Sequence, residues 1–289
     1  MSSRTASIGH QFNRSAGSYD THAHVQRMMA NWLVESLQGW ESRGDTGGPD
    51  ILEIGCGTGA LTEVLLNTWF SASITALDIA PAMIKMAERR ILSTTAKNSD
   101  YRKNPSDRLR FLHADVEMWA SNAPTSSCDL IVSNACFQWL SKPEQTLSHL
   151  RRILRTGGLL VFTTFGPDTF YELHMAFNEV YRANGIKPQR HGLSFQSIAQ
   201  WNHLLKESGF SSVQYERSFQ IEKYASVRDF LLSVKAMGAS TSEAVTMRGL
   251  SSRRLFSDMY KEYEDKFSIQ GGVAASYDLL LIQARGTLG

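Results

Sequence analysis

The stretch Glu53-Ile54-Gly55-Cys56-Gly57-Thr58-Gly59 joins the short apolar run Ile51–Ile54 to a helix-like segment that begins at Ala60. Glycines let a chain turn sharply and let a ligand approach the backbone without meeting a Cβ. Asp78 closes the next apolar run, 23 residues after Gly55. A carboxylate at that place can accept both hydroxyls of a ribose. A second acid, Asp115, follows the third run in His113-Ala114-Asp115-Val116, where it can accept from an adenine amino group. A glycine-rich turn alone is a weak signal. The turn, its strand–helix setting and the two acids together point to an adenosine-bearing ligand.

The kind of ligand follows from charge. A dinucleotide sets its pyrophosphate on the helix N-terminus, and Glu53, two residues before the first glycine, would repel it. S-adenosylmethionine has no phosphate. Its sulfonium and ammonium suit an acidic first strand. The phosphate-cradling G-x-x-x-x-G-K-[ST] loop is absent. S-adenosylmethionine is therefore the expected cofactor and S-adenosylhomocysteine the product.

These residues need a scaffold. Strands are expected at Ile51–Ile54, Ser73–Asp78, Leu109–Leu112, Cys128–Ser133 and Leu159–Thr164. Helices are expected at His24–Leu37, Ala60–Trp69, Pro81–Arg90 and Pro143–Leu154. Gly39–Pro49 reads as a linker and Thr94–Asp107 as a surface loop. Alternation of strand and helix predicts an α/β fold, a parallel sheet covered on both faces. Beyond Phe165 the expected elements are helices at Asp168–Asn184, Ser194–Ser208, Tyr224–Met237 and Arg253–Phe267, with strands at Ser212–Gln220 and Ser276–Ala284. The whole reads as an N-terminal helical cap (1–45) and a Rossmann-like core (46–165, continued at 194–220 and closed by a last strand at 273–289). Two lid insertions, 166–193 and 221–272, complete it.

The 289 residues carry a net charge of +2, too small to argue for a nucleic-acid partner. Three cysteines, Cys56, Cys128 and Cys136, form no C-x-x-C pair, which suits a reducing compartment. No apolar run approaches the ~20 residues of a membrane span, and the first residues lack a secretory signal. A cytoplasmic monomer is expected. His22 and His24 are two apart, on different helix faces, and no metal is expected. No G-x-S-x-G elbow is present, so serine hydrolysis is not expected.

From Ile51 to Thr164 the pattern resembles the seven-stranded S-adenosylmethionine-dependent methyltransferases. The resemblance implies Glu53, Gly55, Cys56 and Gly57 at the methionine end, Asp78 and Ile79 at the ribose, Asp115 and Val116 at the adenine, and Asn134 beside the ligand with Phe137 in the same loop. For Ile79 and Met83, core packing is an equal reading. Four segments narrow the likeness: Gln11-Phe12-Asn13-Arg14-Ser15-Ala16 with Tyr19-Asp20 and Val25-Gln26; Ser133 to Leu140; Thr164 to Leu173; and Phe230 to Ala239. They resemble the malonyl-acyl carrier protein O-methyltransferases of biotin synthesis. That family methylates the free carboxylate of malonyl-acyl carrier protein, masking its charge; malonyl-CoA is a further acceptor to consider.

Such an acceptor is ionised at neutral pH, with a pKa near ~4, and needs no general base. The protein must align the reacting atoms and strip water from the carboxylate. Tyr19, Phe137, Trp139, Phe165 and Phe170 are candidate ring walls for a cationic centre. A desolvated carboxylate also needs a partner. Lys235 is the candidate cation, with Tyr19 or His174 as helpers. Each has a second reading: Lys235 a surface lysine, His174 a packing residue, Tyr19 a staple for the N-terminal helix. Arg151, Arg152 and Arg155, Arg89-Arg90 and Arg253-Arg254 are the candidate basic patches for an acidic carrier. Rival readings are a methyltransferase of another small acid and a non-catalytic module that only binds the cofactor.

Overall fold

Along the central strands of the computed structural model, successive side chains point to opposite sides, and each side builds its own core. The structure describes residues 3–40, 48–97, 107–237 and 252–286. The order is α1 (Ser3–Ser15), α2 (Tyr19–His22), α3 (His24–Glu35), β1 (Asp50–Ile54), α4 (Ala60–Thr68), β2 (Ser73–Asp78), α5 (Pro81–Lys97), β3 (Leu109–His113), α6 (Val116–Asn122) and β4 (Cys128–Asn134). A short 3-10 turn (Phe137–Trp139) follows, then α7 (Pro143–Ile153), β5 (Leu154–Phe165), α8 (Tyr171–Ala183), α9 (Ile198–Glu207), β6 (Phe210–Tyr224), α10 (Val227–Ala236), α11 (Ser252–Phe267), β7 (Ser268–Ile269) and β8 (Gly272–Gly286). Leu52, Ile54, Ile131, Leu160 and Phe162 face one core with α7 and α9. Ile51, Leu130, Val132 and Val161 face the other with α3 and α4.

The sheet order is β3-β2-β1-β4-β5-β8-β6, with β7 paired to β8. The five strands β1 to β5 are parallel. The expectation of a parallel sheet stops there: β8 runs antiparallel between β5 and β6. A strand wedged between two neighbours of one direction can still complete both ladders.

Other boundaries differ for local reasons. The helix expected to end at Arg90 continues to Lys97, because Ile91 is buried in the second core and the Thr94 hydroxyl donates to Glu63 at 2.5 Å. Gly157-Gly158 does not separate helix from strand. β5 starts at Leu154, which pairs with Cys128, and the register shifts between Cys128 and Leu130. Tyr224 belongs to β6, not to a helix; its hydroxyl meets that of Tyr277 at 2.7 Å, and Ser226 caps α10. Helix α6 was not foreseen, and Asp115 is its N-cap. Within the expected loop and linker, residues 98–106 and 41–47 lie outside the described residues, as do Gly238 and Ala239.

A third core lies over one end of the sheet, where Val25 and Met29 of α3 meet Phe177 and Tyr181 of α8, Phe230 of α10 and Met259 and Tyr263 of α11. The expected insertion limits at 220/221 and 272/273 fall within strands, since β6 runs to Tyr224 and β8 starts at Gly272. The turn after β5 anchors this core. The Gly166 and Phe170 amides donate to the carbonyls of Asp278 and Ser276 at 2.8 and 2.7 Å. The Asp168 amide donates to the Asp278 carboxylate, and Thr169 exchanges two hydrogen bonds with the Asp278 backbone. Arg217 of β6 binds Asp278 through two nitrogens and also pairs with Asp168. Asp278 is wholly buried, so this matched cation matters.

Gly166 is required by that packing: a Cβ there would stand 2.2 Å from Asp278 Oδ2. Gly166→Ala should cost about 1–3 kcal/mol of stability by overpacking. Gly17→Ala, which meets nothing within 4 Å, should shift stability by less than ~0.5 kcal/mol. Urea unfolding midpoints check both; equal midpoints for the two variants would remove the steric argument.

Candidate active site

The glycine turn is held against β2 by Asp78. Its carboxylate accepts from the Gly57 amide and the Ala80 amide, each at 2.8 Å. Burial pushes its pKa up, and these backbone amides oppose the shift. Gly57 has φ +53°, and a Cβ built on it would meet nothing within 4 Å. The turn therefore faces open space that a ligand can enter.

That space is a cleft of about 100 Å³ at the ends of β1, β2 and β4. Gly55, Gly57, Asp78, Ile79, Met83, Asp115, Val116, Asn134 and Tyr19 all line it, with Cys136 and Trp139. Asp115 serves α6 as well: its carboxylate accepts from the Glu117 amide at 3.0 Å. Asn134 donates to the Gln26 carbonyl at 2.9 Å and accepts from Thr163 at 2.7 Å, so it ties α3 to the sheet. A smaller recess beside the turn is lined by Glu53, Cys56, Tyr19, Arg27 and Asp20. Glu53 is buried there and accepts from the Thr62 hydroxyl at 2.6 Å. Burial is the main cause that pushes its pKa up to about 8.

The N-terminal cap roofs the cleft. Thr5, Ile8 and Phe12 of α1 line it from above. Asn13 accepts from the Ala82 amide at the start of α5 (2.8 Å). Asp20 accepts from Thr58 at 2.6 Å and pairs with Arg90 at 2.6 Å, while Arg90 also donates to the Thr58 carbonyl. Arg90, read from sequence as a possible docking residue, is thus part of the latch on the cap.

A second cavity, about 460 Å³, lies beyond this roof. Phe12, Tyr19, Ala135 and Trp139 border both cavities and form the partition between them. Phe12 stands edge-on to Trp139 (centroids 5.4 Å) and to Tyr19 (6.5 Å). Burial raises the Tyr19 phenol well above its usual range, so it stays a proton donor. The far walls come from Phe165, Phe170, His174, Phe177, His191 and Tyr277. Burial, with Arg190 and His191 nearby, lowers His174 to about 4. Burial also lowers His191, whose ring stacks on Phe177 at 3.7 Å and bonds the Tyr181 hydroxyl at 2.6 Å. Lys235 is the one formally charged side chain among the described residues that line this chamber.

The structure thus gathers Tyr19, Trp139, Phe165, Phe170, His174 and Lys235 around one chamber. It does not bring Phe137 there. Phe137 is a correction: its ring is buried in the core, stacked on Phe162 at 4.5 Å and beside Trp201, and it lines neither cavity. The 3-10 turn sends Phe137 inward and leaves Trp139 on the cavity side. Sequence reasoning missed Phe12, Gln26, Phe177, His191 and Tyr277. Phe12 and Gln26 were legible within the Gln11–Ala16 and Val25-Gln26 segments; the others arrive from distant segments without a local signal. Cys136 lines the cleft as a half-buried residue, its thiol pKa pushed up to about 12 chiefly by desolvation.

A family of sequences described as methyltransferase domain matches residues 22–215. The chain is 58% identical to the malonyl-[acyl-carrier protein] O-methyltransferase of Paenibacillus sp. (strain JDR-2), over 98% of this chain and 100% of that one. Among solved structures, the YcgJ protein from Bacillus subtilis superposes with a TM-score of 0.58, at 15% identity, covering 89% of this chain and 98% of that chain. A Haemonchus contortus phosphoethanolamine N-methyltransferase 2, solved with S-adenosylhomocysteine, gives a TM-score of 0.52 at 16% identity, covering 89% and 52%. Fold and glycine-turn cleft together define a Rossmann-like methyltransferase. The chain belongs to the family of malonyl-[acyl-carrier protein] O-methyltransferases.

Glu53 gives the site a pH signature. Its folded pKa, about 8, lies well above the ordinary carboxylate range. A raised carboxyl favours the fold fully below its unfolded pKa and loses that contribution as pH rises through the folded one. In ligand-free protein, the stability of wild type relative to Glu53→Gln should therefore fall between pH 5 and 8, measured by denaturant midpoints. A difference that stays flat across this range contradicts the buried proton.

Proposed function

We propose that this chain transfers a methyl group from S-adenosylmethionine to the free carboxylate of malonyl-[acyl-carrier protein], giving the methyl ester. The observation that carries the reading is the pair of cavities sharing one aromatic partition. A donor in the cleft and an acceptor in the chamber would face each other across Phe12, Tyr19 and Trp139.

The residues present fit the donor. Gly57 leaves room where a Cβ would intrude. A carboxylate has about four lone-pair sites, and Asp78 spends three on the amides of Gly57, Ala80 and Ile79, so about one remains for a ribose hydroxyl. Ile79, Met83 and Val116 offer apolar walls near Asp115 for an adenine ring. Glu53, with Cys56 beside it, would be returned to its charged form by a neighbouring ammonium. When bound, S-adenosylmethionine supplies an electrophilic methyl on a cationic sulfur.

The remaining work falls to the protein. The acceptor carboxylate is ionised at neutral pH, so no residue need remove a proton. His174, lowered to about 4, is uncharged at neutral pH. The chamber's rings exclude water and leave the carboxylate poorly solvated, hence more reactive. Lys235, at the chamber wall, supplies the compensating charge, and the Tyr19 hydroxyl can donate to the oxygen that does not react. Phe165 and Phe170, set by the turn around Asp278, hold the acyl segment against the partition.

Mass spectrometry of malonyl-acyl carrier protein incubated with enzyme and S-adenosylmethionine should show the gain of one methyl group that an esterase removes. Label found only on free small acids would overturn the carrier reading. A charge-assisted hydrogen bond is worth about 1.5–3 kcal/mol, and tenfold in rate is about 1.4 kcal/mol. Lys235→Ala should accordingly lower kcat/KM roughly 10- to 100-fold, on malonyl-acyl carrier protein and on a small malonyl thioester alike, with an unchanged melting temperature. Wild-type rates on both would exclude the lysine from carboxylate binding.

A further inference from the structure

Lys235 borders more than the chamber. It also lines an open groove of about 390 Å³ between α1 and α10, together with Gln11, Arg14, Ser18 and Leu232. The Ser18 hydroxyl donates to the Ala236 carbonyl at 3.3 Å, joining the two sides of this groove. Lys235 is therefore the residue at which an outer surface and the inner chamber meet.

The groove's chemistry is one-sided. Arg14 and Lys235 are exposed, and neither forms an ion pair among the described residues. Among the described residues, no acidic residue lines the groove. Leu232 is 50% exposed, an apolar knob between the cations of α10, with Arg228 exposed one turn earlier. Asp229, the nearby acid of α10, is held by Ser226 through two hydrogen bonds.

The more conspicuous arginines are occupied elsewhere. Arg152 donates to the carbonyls of Ala120, Ser121 and Ala123. Arg155 bridges Asp50 and Asp129 at 2.7 and 2.6 Å. Arg151 donates to the Gly209 carbonyl, Arg90 latches Asp20 and Glu63, and Arg254 pairs with Asp258. Arg90, Arg151, Arg152 and Arg155 thus join separate elements of the fold, while Arg254 pairs within its own helix.

We propose that the groove between α1 and α10 is the docking surface for an acidic carrier domain, whose thioester-bearing arm passes Lys235 into the chamber. The proposal rests on the malonyl-carrier reading above. Unpaired cations steer an acidic partner and fix its orientation. A central exposed leucine provides the desolvated contact around which such an interface closes.

The test uses full-length protein, with a fluorescently labelled malonyl-acyl carrier protein for binding and a malonyl-N-acetylcysteamine thioester as the small acceptor. Arg14→Glu and Leu232→Asp should each weaken carrier binding, and kcat/KM for the carrier substrate, by about tenfold or more. Both should keep kcat/KM for the small thioester within about twofold of wild type. Arg253→Glu, an equal charge reversal on another exposed surface, should leave carrier binding unchanged. Wild-type carrier binding in both groove variants overturns the proposal, as does an equal loss on carrier and small thioester, or an equal loss in Arg253→Glu. Tight, groove-dependent carrier binding without methyl transfer would uphold the docking surface while removing the reaction assigned above.

Discussion

The latch between Asp20 and the pair Thr58–Arg90 decides whether there is an active site at all. The cleft at the strand ends has a floor from the sheet and the glycine turn, but its roof is a helix from the far N-terminus. Polar links that join that roof to the core include Asn13 to Ala82 and Asp20 to Thr58 and Arg90, with Arg27 donating to the Asp20 carbonyl. Arg90 and Asp20 are both partly shielded, at 27% and 41% side-chain exposure, so solvent does not dissipate the pair as fully as an exposed one. Tyr19 is adjacent to the latch in sequence. Fixing Asp20 fixes the phenol that stands between the two cavities.

A comparable anchor works on the opposite side. The turn from Phe165 to Phe170 wraps around the buried carboxylate of Asp278, and Arg217 neutralises it. Phe170 has φ +61°, an unusual backbone for a non-glycine residue. The surrounding hydrogen bonds impose it, and it opens α8. The two anchors therefore set the chamber's walls from two directions, one through the cap and one through β8. Neither belongs to the strands β1 to β4 that carry the cofactor cleft.

The cofactor half was legible because its signals are contiguous: one strand, one glycine turn, one acid at a strand end. The strand Ser73–Asp78 was located to the residue. The direction of β8 was not legible, since alternation looks the same read from either end. Phe137 and Trp139 are two aromatic residues in one short loop, and only the 3-10 turn decides which one faces the cavity. Arg151, Arg152 and Arg155 read as a free patch until their remote partners are seen: Arg155 meets Asp50 and Asp129, 105 and 26 residues away in sequence, and the other two donate to backbone carbonyls. His191 and Tyr277 reach the chamber from segments with no motif of their own. Charge at a distance and packing between remote segments are set by the tertiary fold, and local pattern does not report them.

One wall of the cleft holds a thiol, and its burial has a chemical consequence. An alkylating donor that can esterify a carboxylate would react readily with sulfur, but the nucleophile is the thiolate. Cys136 is held near 12 and Cys56 is also raised well above its usual range, both chiefly by burial, with the acid Asp78 adding to it. At neutral pH both remain S–H. The same acid-flanked surroundings thus hold the protein's own sulfur in its unreactive form.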